Sequence, residues 1–287
     1  MHDIETKPNE NKYFHETSFY ILKRNKPAVL GLLIILILFL VALFASYIAP
    51  HDPVKTNLPH RLMSPGSEYP LGTDNLGRCI FSRLIYGART TLQVGIVVVG
   101  ISASLGVILG AVAGYHGGII GEIIMRCVDV VLAFPGLILA LAIAGLLSPS
   151  LFSIMLALAL VGWTSYTRVV RGVILSVKEK DFVQAARSLG ATDFRILYQH
   201  ILPNVMAPVI VMASFNMAHV ILAAAALSFL GLGAQPPDPE WGSMLNAGRP
   251  FMETAPHLTI FPGLAIMITV LAFNFVGDGL RDALDPH

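Results

Sequence analysis

Charge is scarce in this chain. Only 13% of its 287 residues are Asp, Glu, Lys or Arg, against roughly a quarter in a soluble globular protein. With a net charge of +1, it carries no charge excess that would draw in nucleic acid or an acidic ligand. Cysteine is nearly absent. Cys79 and Cys127 are the only two, and a long apolar run separates them, so a disulfide between them would have to bridge a membrane core of about 30 Å. Lysine is rare too, and none of the lysines follows a glycine. That excludes a G-x-x-x-x-G-K-[ST] phosphate loop. No zinc helix is spelled out either, because His15-Glu16 runs on into Thr17-Ser18-Phe19 rather than to a second histidine.

Apolar residues take the place of all these. They make up 55% of the chain, and six runs approach the ~20 apolar residues needed to span a bilayer. The first, 28–49, is too long and too far from the start for a cleavable signal. Lys23, Arg24 and Lys26 precede it, which places an N-terminal tail, residues 1–27, in the cytoplasm. An external segment follows at 50–91. Ile80, Leu84 and Ile85 predict a helix there lying along the membrane surface, although Lys55, Arg61, Arg78, Arg83 and Arg89 run against the positive-inside rule. Residues 92–276 then hold five more spans, from about Leu92 to Gly114, Met125 to Leu147, Leu151 to Tyr166, Val205 to Leu230 and Leu258 to Phe275. Gly106, Gly110 and Gly114 predict close helix packing in the first of these. Pro135-Gly136 predicts a kink in the next, and Asp129 is an ionisable group at membrane depth. Pro239-Glu240-Trp241 can start a short interfacial helix before the last span. Residues 277–287 form a second cytoplasmic tail.

The loop 167–204 is too polar for lipid and carries Arg168, Arg171, Lys178, Lys180, Arg187 and Arg195 against Glu179, Asp181 and Asp193, which places it in the cytoplasm. Within it, Phe182, Ala185, Ala186 and Leu189 recur on one helical face. Gly190 can close that helix in the left-handed conformation. Thr192 or Asp193 can cap a second helix, whose apolar side would carry Phe194, Leu197, Tyr198 and Ile201. Helix, glycine, helix makes a knob outside the membrane, with small alanines where another protein can approach.

Gln184-Ala185-Ala186, three residues, Gly190, nine residues and His200-Ile201-Leu202-Pro203 resemble the EAA loop of ABC-importer permeases, with Gln184 in place of the glutamate and His200 in place of an isoleucine. LGTDNLGRCIFSRLIYGARTTL, MRCVDVVLAFPGLILA, SFLGLGAQPPDPEWGSML and FNFVGDGLRDALDPH resemble further blocks of the dipeptide, oligopeptide and nickel permeases, with Cys79 where aspartate is usual. The resemblance implies an all-α integral membrane protein of six transmembrane helices with the type I importer permease fold. It implies a second permease subunit, two ATP-binding subunits that hold ATP-Mg, and an external substrate-binding protein as partners. This chain itself would bind no cofactor or metal and would not be an enzyme. Phe182, Gln184, Ala185, Ala186, Leu189, Gly190 and Pro203 would form the coupling element in the cell membrane protein, whose two termini both lie inside.

Asn216 and His219 share a face of the fifth span. They can line the pathway, touching a peptide backbone or a nickel chelate, or else bond between helices. A secondary transporter would show repeats and paired broken helices, and an intramembrane enzyme would need a nucleophile or metal cluster. A channel would not account for the knob.

Overall fold

The structure, a computed structural model, describes residues 20 and 22–284. Most of the expected N-terminal tail, the His15-Glu16 pair and the last three residues lie outside them. The described part is helical. Its main helices are α1 (Lys26–Leu43), α2 (Ile80–Tyr115), α3 (Gly118–Leu132), α4 (Gly136–Leu146), α5 (Leu151–Val177), α6 (Asp181–Ser188), α7 (Asp193–Ile196), α8 (Leu202–Phe229), α9 (Trp241–Gly248) and α10 (His257–Leu284). Five stretches are long and apolar enough to cross a membrane, and α3 with α4 makes a sixth if that bent pair counts as one span.

Several boundaries differ from the sequence reading. Ile80, Leu84 and Ile85 do not lie in a separate surface helix but in the first turns of α2, which runs unbroken for 36 residues. At 1.5 Å per residue that is about 54 Å, well beyond a bilayer core of about 30 Å. α5 likewise continues past Tyr166 to Val177, so the polar loop shrinks to the segment around α6 and α7. The expected tail from residue 277 is instead helical as far as Leu284, where Gly277 faces the ring of Phe215 and Gly279 approaches Ala28 of α1. The third span is broken rather than kinked, with α3 and α4 meeting at 87°.

The glycines of α2 behave as their spacing predicts. A Cβ built on Gly106 would lie 2.2 Å from Tyr166 Cβ, and one on Gly110 would lie 2.7 Å from Val170 Cβ. α2 and α5 therefore touch backbone to backbone, along the line that continues to Gly114 and Ile174. At the Ile80 end of α2, α9 lies across the bundle. Glu240 caps it, its carboxylate oxygens accepting from Gly242 N and Ser243 N. Burial pushes the Glu240 carboxyl upward in pKa and these amides pull it back. Trp241 is fully buried over Gly87 and donates from Nε1 to Leu84 O at 3.0 Å.

Two of the five basic residues that ran against the charge rule in segment 50–91, Arg78 and Arg83, find their account here. Arg78 Nε donates to Asp74 Oδ2 at 2.6 Å, and Arg83 lies 3.7 Å from the same oxygen. Arg83 also donates to Pro53 O and Pro237 O, tying the segment before α2 to the one before α9. Cys79, between the two arginines, is buried and unpaired, and Cys127 on α3 is exposed and unpaired. Asp74→Asn would leave two buried guanidiniums facing each other. The expected cost is about 3 kcal/mol, the usual penalty for breaking a buried pair, read as a lower thermal midpoint in detergent. An unchanged midpoint would show that water already satisfies the arginines.

Candidate functional site

Two places collect the residues singled out from the sequence. The first is the knob at the Tyr115 end of α2. Lys180 precedes α6, and Gln184 Nε2 donates back to Lys178 O at 3.0 Å. Gly190 adopts φ +81°, a left-handed conformation that costs a residue with a Cβ about 1–2 kcal/mol. Thr192, not Asp193, caps α7, accepting from Arg195 N. Asp193 instead accepts from the Tyr115 hydroxyl.

What holds the knob is a residue the sequence reading passed over. Val183 is fully buried against Ile174, Val177, Ile196, Ile201 and Val205. The signal was present, since Val183 extends the apolar line of Val170, Ile174 and Val177, but the chain turns between them. The face expected to be apolar, carrying Phe182, Ala185 and Leu189, points outward, with Leu189 88% exposed and Ala186 half-buried. The second helix is also corrected. Ile196 and Ile201 face inward, while Phe194 and Tyr198 are exposed and stack on each other with centroids 6.3 Å apart. A π-helical stretch, Leu197–Ile201, accounts for this, because its i→i+5 hydrogen bonds widen the turn. Pro203 lies in the first turn of α8, where its missing N–H costs nothing. The result is an anchored platform with Phe182, Leu189, Phe194 and Tyr198 uncovered.

The second place is a cavity of about 290 Å³ between α2, α5, α8 and the α3–α4 break. Asn216 and His219 both line it, with Asn216 half-buried and His219 exposed. Ser102, Thr164, Ser165 and Tyr166 supply the rest of its polar wall. No spacing rule pointed to Ser102 or Tyr166, because they sit on different helices that only the fold brings together. Asp129 on α3 meets Arg168 on α5 at 2.8 Å, both about half exposed, one helical turn from the cavity-lining Leu132 and Ser165.

The arrangement has a polar pocket between helices at one level and an anchored, uncovered apolar platform at another. Residues 106–287 match the family described as binding-protein-dependent transport system inner membrane component, and residues 14–65 match the N-terminal transmembrane domain of oligopeptide transport permease C. A dipeptide transport system permease protein of Alkalihalophilus pseudofirmus is 47% identical over 94% of this chain and 88% of its own length. One from Haemophilus influenzae is 43% identical over 93% of both chains. A glutathione transport system permease protein of Pectobacterium atrosepticum is 46% identical over 92% of this chain and 88% of its own. Among solved structures, a chain of an inward-facing MetNI methionine ABC transporter has a similar fold, with a TM-score of 0.59 at 18% identity over 72% of this chain and 98% of that one. An amino acid ABC transporter chain gives 0.52 at 17% identity over 69% and 92%. The fold is that of type I ABC importer permeases, and the match over residues 106–287, with relatives this similar along nearly the whole length, means that the chain belongs to the inner-membrane components of binding-protein-dependent ABC importers.

Proposed function

We propose that this chain is one of two permease subunits of an importer for dipeptides and other short peptides. In this reading a second permease subunit completes the pathway, an external binding protein delivers the peptide, and two cytoplasmic subunits bind ATP-Mg. The carrying observation is the platform around α6. Its inner side is fixed by Val183, while Phe182, Leu189, Phe194 and Tyr198 are left uncovered. Exposed apolar side chains gathered at one site mark a surface that another protein covers. Docked in a groove of an ATPase, α6 would move as a rigid lever and tilt α5 and α8, to which it is joined at either end. The positive charges of Arg168, Arg171, Lys178, Lys180, Arg187 and Arg195 support a cytoplasmic side for this end of the bundle, and for the start of α1 and the end of α10 with it. Asn216 and His219 then line the pathway at mid-depth. The peptide cargo follows the relatives named for dipeptide and glutathione transport.

The test is uptake of a radiolabelled dipeptide by proteoliposomes containing the complete transporter. Accumulation is expected only with ATP-Mg inside and binding protein outside. Uptake driven by an ion gradient without ATP, or uptake of Ni²⁺ with none of peptide, would refute the proposal.

A further inference from the structure

The right-angle break between α3 and α4 exposes the start of a helix to the cavity. The preceding residue, Pro135, has no side chain able to cap, and α4 carries no side-chain cap. Leu139 N reaches Pro135 O, but the amides of Gly136, Leu137 and Ile138 precede the first intrahelical bond. Gly136 and Leu137 line the cavity. The partial positive charge of a helix start therefore faces a space between spans, where unpaired amides are costly.

Two further donors face the same space. Ser102 Oγ and Tyr166 Oη belong to residues 2% and 1% exposed, both lining the cavity; the Ser102 hydroxyl has no hydrogen-bond partner, and Asn216 stands beside that of Tyr166. Gly162 keeps the Ser102 hydroxyl clear, since a Cβ there would lie 2.7 Å from it. The nearby charges Asp129 and Arg168 neutralise each other, so the helix start has no fixed counter-charge in the wall. The cavity wall thus carries several donors and no carboxylate.

We infer that this cavity is a waypoint for a carboxylate of the transported substrate, held by the first-turn amides of α4 and the hydroxyls of Ser102 and Tyr166. This rests on the peptide reading above, since a peptide carries such a group at its C-terminus. Asn216 and His219 are then placed to meet the adjoining amide groups. A helix start aimed at a substrate carboxylate from a broken span is a general solution in membrane transport. Here it is combined with the buried Ser102 hydroxyl, which would otherwise lack a partner.

The test uses the assembled transporter in nanodiscs without the binding protein, so that the binding protein's own preference does not enter. Saturation-transfer NMR compares N-acetyl-alanine, its amide, and the α-amide of N-acetyl-glutamate, which keeps only a side-chain carboxylate. N-acetyl-alanine is expected to bind and its amide to give little signal. The double variant Ser102→Ala, Tyr166→Phe should weaken binding of the acid at least tenfold, the scale of one or two hydrogen bonds to a charged group. Binding by the glutamate probe extends the site to side-chain carboxylates, and its failure restricts the site to the C-terminus; both uphold a carboxylate site. Equal signals from acid and amide, or an unchanged signal in the double variant, would overturn it. Dipeptide uptake by the double variant, with binding protein restored, should also fall about tenfold. If the unmodified transporter moves no peptide at all, the peptide reading itself fails, a result distinct from loss of the carboxylate preference.

Discussion

Ala185→Arg should abolish coupled uptake while leaving the chain inserted and folded. Ala185 is exposed on α6, on the side away from Val183, so its side chain can lengthen without meeting this chain's own core. In the proposed docking, an arginine there would instead enter the ATPase groove and place a large charge in a packed apolar contact. Binding-protein-stimulated ATP hydrolysis and dipeptide uptake should both fall at least tenfold, since losing about 1.4 kcal/mol at an interface already has that effect, and ATPase subunits should co-purify poorly. Ala186→Arg is a less clean choice, because Ala186 is half-buried and a loss there would mix folding with docking. Gly190 offers a matched pair. A Cβ at this position would have no atom within 4 Å, so only the positive φ resists substitution. Gly190→Asn should be close to neutral because asparagine visits the left-handed region, whereas Gly190→Val should misdirect α6 and reduce uptake. Normal coupling by Ala185→Arg with the ATPase still bound would reduce α6 to an ordinary surface helix.

The parts of this protein legible in its sequence are those governed by local period and length. Apolar runs gave the spanning helices because spanning length is set by the bilayer. Gly190 and the Thr192-Asp193 pair marked the turn between α6 and α7 because turn and cap chemistry act within a few residues. What stayed hidden depends on pairs distant in sequence. Arg83 looked misplaced in an external segment until Asp74, Pro53 and Pro237 were brought around it. Val183 looked like one of several apolar positions, and only packing against Ile196 and Ile201 made it the anchor. The π stretch that turns Ile196 and Ile201 to the same side has no signature in a period read at 3.6 residues. Asn216 and His219 were recognisable as a pair on one face, but their companions Ser102 and Tyr166 come from α2 and α5. The α4 helix start was hidden for a different reason. Pro135-Gly136 announces a disturbance, but the 87° turn depends on how α3 and α4 pack against their neighbours.

The packing of α2 on α5 is the feature on which both sites depend. Tyr166 contributes to the cavity and to the core above the knob, and its Cβ would lie 2.2 Å from a Cβ at Gly106. On the same side, Trp163 O and Thr167 N would lie 2.8 and 3.0 Å away. Backbone atoms cannot rotate aside as the end of a long side chain can, so any substituent at Gly106 must drive the two helices apart. Gly106→Val should cost about 3 kcal/mol, toward the upper end of overpacking, and should be seen as poor accumulation of monodisperse protein and loss of the folded form on mild heating. Gly100→Ala provides the control in the same helix, because no atom lies within 4 Å of a Cβ there. It should be neutral or stabilise by up to about 1 kcal/mol through helix propensity. Separating α2 from α5 would also move Tyr166 and Ser102 apart, so any Gly106→Val protein that does survive should have lost uptake as well. If Gly106→Val is as stable and active as the parent while Gly100→Ala behaves as expected, the two helices do not touch backbone to backbone in the membrane.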